Sequence, residues 1–314
     1  MTTALIFPGQ GSQAVGMGRS LADAFPVAKA VFDEVDAALS QKLSTLMWEG
    51  PAEELTLTAN AQPALMAVSL AVVRVLEAEA GLDLGRDAAF VAGHSLGEYS
   101  ALAAAGTFSV SDAARLLRIR GDAMQKAVPA GQGAMAALLG AELDLAREIA
   151  AAAAQGEVCE AANDNGGGQV VLSGAKAAID RAIALATERG VKRAMLLPVS
   201  APFHCALMQP AAEAMREALS KIAMRAPVVP VMANVGAAPL SDPEAIRASL
   251  VAQVTGTVRW RECVQAMAAA GVDDFVELGS GKVLAGLVKR IAAGTATASV
   301  GTAEDIAAYK ARKG

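Results

Sequence analysis

Cysteine is scarce in this chain: Cys159, Cys205 and Cys263 are the only three in 314 residues. An odd number, with neither paired nor metal-ligand spacing, excludes a disulfide framework and a cysteine-built metal centre. A reducing, cytoplasmic setting is the expectation. Long apolar runs are missing as well. Hydrophobic residues make up 54% of the chain and the mean hydropathy is +0.38, but most are alanine, broken by charge or glycine. No run approaches the roughly 18 to 20 residues of a spanning helix, so no membrane partner is expected. The short apolar stretch Met1 to Phe7 has no basic flank and reads as a first strand, not a signal peptide. Positive charge is not in excess: 27 basic and 32 acidic residues give a net charge of -5, and nothing in this balance calls for nucleic acid. Histidine is rarer still, with only His94 and His204.

A chain of this length suffices for one large or two medium domains with an ample core. Ala4 to Phe7 reads as a buried strand, followed by helical patterns near Ser20 to Leu39 and Gln62 to Glu79. Ala88 to Ala92 reads as a short strand and Leu96 to Ala105 as a helix closed by Gly106. Further on come a strand at Val228 to Ala233, helical patterns at Pro243 to Gln253 and Trp260 to Ala270, and a strand at Asp274 to Leu278. Short apolar strands alternating with longer helices predict an α/β fold with a mainly parallel sheet. Residues 129–198 break the rhythm: strand, helix, two strands joined through Asn163 to Gly168, helix, and a last strand at Lys192 to Pro198. That order is the ferredoxin-like pattern, predicted as a small subdomain inserted between the halves 1–128 and 199–314 of a larger one.

Chemistry concentrates at Gly93-His94-Ser95-Leu96-Gly97. A serine between strand and helix, with glycines two positions to either side, predicts a strained turn that projects the hydroxyl. The glycines let the helix pass close to the strand. The N–H of Leu96, at the start of the helix, points where an oxyanion would form. A serine hydroxyl needs a base. His94 is adjacent and directed away, leaving His204, in a loop after the insert. Cys205 cannot easily face its own neighbour His204 for proton transfer. The turn Gly9-Gln10-Gly11-Ser12-Gln13 lacks the Gly-Lys-Ser/Thr ending of a nucleotide loop, but it can bring a second backbone N–H beside the serine. Three arginines, Arg115, Arg118 and Arg120, share the helical pattern Asp112 to Gln125, and spacing does not choose among them.

Taken together, Phe7 to Gln13, Gly93 to Tyr99, Arg118 to Gln125 and Phe203 to Met208 resemble the malonyl-CoA:acyl carrier protein transacylases of fatty acid synthesis, in order and over nearly the whole chain. The resemblance implies an α/β-hydrolase-like core with the ferredoxin-like insert. It makes Ser95 the malonyl carrier and His204 its base. It gives the N–H groups of Gln10 and Leu96 to the oxyanion and Arg120 to the free carboxylate of malonate. Gln253 matches the residue whose backbone carbonyl orients the histidine, and Gln62 a glutamine near the site. Phe203 departs from several bacterial relatives, which carry serine there; it is similar to malonyl-selective acyltransferase domains, where its bulk crowds an α-methyl group. The implied substrates are malonyl-CoA and the phosphopantetheine thiol of acyl carrier protein, with no bound cofactor and no metal. Acyl carrier proteins are acidic, so Lys192, Arg193, Lys282, Lys289 and Arg290 are candidate docking positions. A serine thioesterase of similar architecture and a non-catalytic carrier-docking domain are the alternatives.

Overall fold

The computed structural model describes residues 1–313. Ten strands form two sheets. The larger contains β1 (Thr3–Phe7), β2 (Phe90–Gly93), β7 (Val231–Ala233), β8 (Ala238–Leu240), β9 (Asp274–Leu278) and β10 (Ala296–Val300), in the order β10-β9-β1-β2-β7-β8. Every pairing in it is parallel except the edge hairpin β7–β8. The smaller is antiparallel, built from β3 (Gly133–Leu139), β4 (Cys159–Asp164), β5 (Gln169–Ala175) and β6 (Arg193–Leu196), in the order β4-β5-β3-β6. The fold is mixed α/β with a mainly parallel sheet, as expected.

The parallel sheet is buried on both faces, as crossover helices require. In β1, Leu5 and Phe7 join the core cluster that holds Val91, Val276 and the helix Thr58–Ala80. Ala4 and Ile6, on the opposite face, pack with Trp260 and Phe275. The helix Thr58–Ala80 is long and apolar enough to cross a membrane, but 89% of its most apolar window is buried inside the protein, which makes it a core helix. The small sheet packs against its own helices, Leu143–Ala154 and Lys176–Glu188, over an alanine-rich core containing Leu138, Ile149, Leu172 and Ile179.

Several boundaries differ from expectation for identifiable reasons. The pattern from Ser20 to Leu39 is two helices, Arg19–Ala24 and Pro26–Leu39, because Phe25 before proline is extended (φ -131°, ψ 115°). The helix expected from Gln62 begins at Thr58 and accommodates Pro63 in its second turn. The strand expected at 158–162 runs on to Asp164, whose N–H donates to Val258 O at 2.9 Å. The connection is therefore the tighter turn Asn165 to Gly168, in which Gly166, Gly167 and Gly168 have φ of 72°, 60° and 71°. Three successive left-handed residues need glycine.

Candidate active site

The first strands position Ser95. β1 and β2 run in register from Ala4–Phe90 to Phe7–Gly93, so the loops leaving them sit side by side at the C-terminal edge of the sheet, where open α/β sheets place their sites. After Gly93 the chain turns through Ser95, a non-glycine residue at φ 54°, into the helix Gly97–Ala104. A Cβ on Gly93 would lie 1.9 Å from the carbonyl of Gly97, and one on Gly97 would lie 2.3 Å from Phe7 O. Both glycines are small for the reason the spacing predicts. The helix starts one residue later than expected, which leaves Leu96 as its buried cap residue. Gln10, from the loop after β1, lines the same cavity as Ser95.

His204 reaches Ser95: its Nε2 is 2.8 Å from Oγ. Its Nδ1 is 2.8 Å from the backbone oxygen of Gln253, so Nδ1–H donates and Nε2 is left to accept from the serine. His204 also adopts φ 59°, so both partners are held in conformations that surrounding structure must enforce. Burial first, and the nearby Arg120 cation second, pull the His204 imidazolium down to about 3; the substrate-free ring is neutral, the form a base requires.

Arg120 is 1% exposed. Its Nη2 donates to Ser95 Oγ at 3.1 Å and to Gln253 Oε1 at 2.8 Å, and its Nη1 donates to Gln62 Oε1 at 2.9 Å. The guanidinium lies 5.6 Å above the centre of the Tyr99 ring. Its three hydrogen-bond partners are amide and hydroxyl oxygens, not carboxylates. Gly121 makes this placement possible: a Cβ there would meet Ala59 Cα at 2.6 Å, so the helices Thr58–Ala80 and Val110–Lys126 touch at this point and bring Gln62 to Arg120. Of the other arginines, Arg118 binds Asn60 and Gln41, and Arg115 is an exposed partner of Asp112.

Phe203 is buried and lines the cavity, about 370 Å³ in volume, with Met124, Met135, Asn163, Leu197 and Val199. A larger open groove of about 760 Å³, bordered by Arg74, Phe108 and Arg225, contains none of these residues and lies away from the serine. Cys205 is turned to Pro202 O, and burial pushes its thiol up to about 11, an inert state. His94 points away from the hydroxyl, with its Nε2 2.9 Å from Asn165 Oδ1. Among the described residues no His, Cys, Asp and Glu group is arranged to hold a metal ion.

Three groups escaped the sequence reading. Asn234, just past β7, accepts the Ser95 N–H through Oδ1 at 2.8 Å and donates through Nδ2 to Gly93 O at 2.7 Å. The side chain of Gln253 donates to Ser95 O at 3.0 Å, beyond the carbonyl role expected of that residue. Glu98 is buried behind the turn. Position at the C-terminal end of a parallel strand is the signal for Asn234; Glu98 lies within the Gly93 to Tyr99 motif, which assigns it no role.

The family model for the acyl transferase domain matches residues 4–307. The chain belongs to this family. Among acyl transferases, a malonyl CoA-acyl carrier protein transacylase of Bacillus subtilis is 46% identical over 96% of this chain and 94% of its own. The crystal structure of an acyl-carrier-protein S-malonyltransferase from Bartonella henselae superimposes with a TM-score of 0.96 at 58% identity, covering 98% of both chains. A malonyl-transacylase solved in complex with a type II PKS acyl-carrier protein has a TM-score of 0.96 at 41% identity, covering 99% of this chain and 100% of that one.

Proposed function

We propose that this acyl transferase moves a malonyl group from malonyl-CoA to the phosphopantetheine thiol of acyl carrier protein through a malonyl-serine intermediate. One observation carries the acyl choice: a fully buried guanidinium, partnered only by neutral oxygens, 3.1 Å from the nucleophile. A buried cation lining the cavity beside the reacting atom favours a substrate that brings a carboxylate, and the guanidinium fork can hold it with two parallel hydrogen bonds.

In the first half-reaction Ser95 Oγ attacks the thioester carbon and its proton passes to His204 Nε2. The N–H groups of Gln10 and Leu96 receive the oxyanion. The intermediate collapses, the C–S bond breaks, and the CoA sulfur leaves with the proton from His204. In the second, the carrier thiol gives its proton to His204 and attacks the malonyl ester, and Ser95 recovers its proton as it leaves. Gln253 O holds the imidazole tautomer in place of a triad carboxylate. Gln62 steadies Arg120, and Phe203 crowds an α-methyl group. No metal and no bound cofactor enters these steps.

The parallel sheet fits an α/β-hydrolase-like core of residues 1–128 and 199–314, and the small sheet a ferredoxin-like insert at 129–198. Its β-α-β-β-α-β element order and β4-β5-β3-β6 strand order support that division. For carrier docking, Lys192, Arg193, Lys282, Lys289 and Arg290 are all exposed. Lys192 packs at Gly140 and Arg290 at Gly167, on the glycine turn that carries Asn165 to His94. The three cysteines are free and buried, in keeping with a cytoplasmic enzyme.

The test is incubation with malonyl-CoA, with and without carrier protein. The expected result is a malonyl adduct in the intact mass, absent in Ser95→Ala, and carrier acylation faster than hydrolysis. CoA release without carrier acylation would overturn the proposal in favour of a hydrolase. An absent adduct in the unaltered protein would leave only a docking domain.

A further inference from the structure

The acyl-transfer steps above give no part to Glu98. Its carboxyl is 1% exposed, on the first turn of the helix Gly97–Ala104. Oε2 accepts the backbone N–H of Asn234 at 3.0 Å and Gln253 Nε2 at 2.9 Å. Both partners reach the reacting groups. Asn234 accepts the Ser95 N–H; Gln253 meets His204 through its carbonyl and Arg120 through its side-chain oxygen.

Gln253 therefore stands between a guanidinium, which can only donate, and a carboxylate, which when ionised can only accept. One amide orientation satisfies both neighbours. Turned over, the amide would set N–H against N–H and oxygen against oxygen among side chains that are fully buried. We infer that Glu98 is a positioning residue: its carboxylate fixes the Gln253 amide and the Asn234 main chain, and through them holds Arg120 against Ser95 and the nucleophile on its turn. The inference rests on the malonyl-transfer reading above.

The titratable and charged groups facing Glu98 are Arg120 from the helix Val110–Lys126, Cys263 from the helix Trp260–Ala269, and Tyr99 on its own helix. Burial holds the tyrosine and the thiol neutral. For Glu98, burial raises the carboxyl to about 7 against the opposing pull of Asn234, Gln253 and Arg120. Protonation adds an O–H donor and removes the charge that strengthens the Gln253 and Asn234 bonds, leaving Arg120 and Ser95 O to hold the amide. Positioning is thus weakened as pH falls through about 7, well above the titration of His204 near 3.

The deciding measurement is the pH profile of kcat/KM for carrier acylation from malonyl-CoA and from acetyl-CoA, with labelling of Ser95 by a fluorophosphonate run in parallel. The unaltered protein is expected to lose malonyl transfer on the acid side of about pH 7. Glu98→Gln, uncharged at every pH, is expected to lack that limb and to transfer malonyl about tenfold more slowly at pH 8, with a smaller loss on acetyl, which does not use Arg120. Glu98→Asp keeps the charge but withdraws the acceptor, so it should retain a limb at reduced rate and decides the matter if Glu98→Gln does not fold. A wild-type rate and limb in Glu98→Gln, or equal losses on both acyl groups with the limb unmoved, would overturn the inference. If the unaltered protein labels at Ser95 yet acylates no carrier, the functional reading fails. The effect of Glu98→Gln on the pH dependence of labelling then still judges Glu98.

Discussion

Around the six-stranded sheet, polar side chains converge on the ends of β2 and β7: half-buried Ser95 and the buried Glu98 and Asn234 join Arg120, His204 and Gln253 in one hydrogen-bonded set. Around the four-stranded sheet the core is alanine with a few larger aliphatics. What residues 133–199 give the cavity is mostly wall: Met135, Asn163, Leu197, Pro198 and Val199. Parallel strands end together, so neighbouring loops can pool functional groups; antiparallel strands alternate in direction and offer a face. On the proposed mechanism, the contrast separates bond-making, carried by the larger sheet, from the shaping of the cleft, shared with the smaller. Side-chain links tie the regions at His94 to Asn165 and at Arg261 to Asp164, the latter at 2.8 Å, beside backbone hydrogen bonds of Ala162 and Asp164 to Val258.

Substitutions can break this division. The largest expected effect is that of Ser95→Ala, which should abolish the acyl adduct by intact mass and lower transfer by about 10⁴-fold or more. Next, Arg120→Ala should cut kcat/KM for malonyl-CoA by about 10²- to 10³-fold, the cost of leaving a carboxylate unpaired in a dry site, with a much smaller loss on acetyl-CoA; equal losses would make Arg120 structural. Phe203→Ala should shift the methylmalonyl-to-malonyl ratio by about tenfold, the scale of one methyl group in an apolar pocket. An unchanged ratio would move selectivity to the small-sheet wall, where Met135→Ala would be the sharper probe. The smallest is Arg261→Ala, which strands Asp164 and should cost about 1–3 kcal/mol, read as a drop of a few degrees in Tm. Separate melting of the two regions in that variant would show that they fold independently.

The pairing of Ser95 with His204 was legible because its chemistry is local and scarce: one glycine-framed serine, and one histidine free to meet it. Short, mostly unbroken apolar runs marked β1 and β9, since both faces of each strand are buried. Arg120 was not legible from spacing, because the choice among three arginines on one helix depends on where Gly121 lets a second helix approach; only the family resemblance selected it. Asn234 and Glu98 were hidden for a related reason. Their roles arise from contacts across 136 to 139 residues of sequence, between β7 and the turn after β2. Helix boundaries were missed beside prolines: Pro26 starts a second helix within one apolar pattern, and Pro63 lies inside a helix that already begins at Thr58.

The closeness of Arg120 to His204 has a consequence for fidelity. The same cation proposed to hold the malonyl carboxylate weakens the imidazole as a base. A malonyl thioester arrives with its own counter-anion and lifts that penalty; acetyl leaves it in force. The His204 pKa should accordingly stand higher with a non-hydrolysable malonyl thioester bound than with its acetyl counterpart, and equal values would refute the coupling. On this view the correct acyl group arms the base that acts on it, and discrimination extends from binding into the chemical step itself.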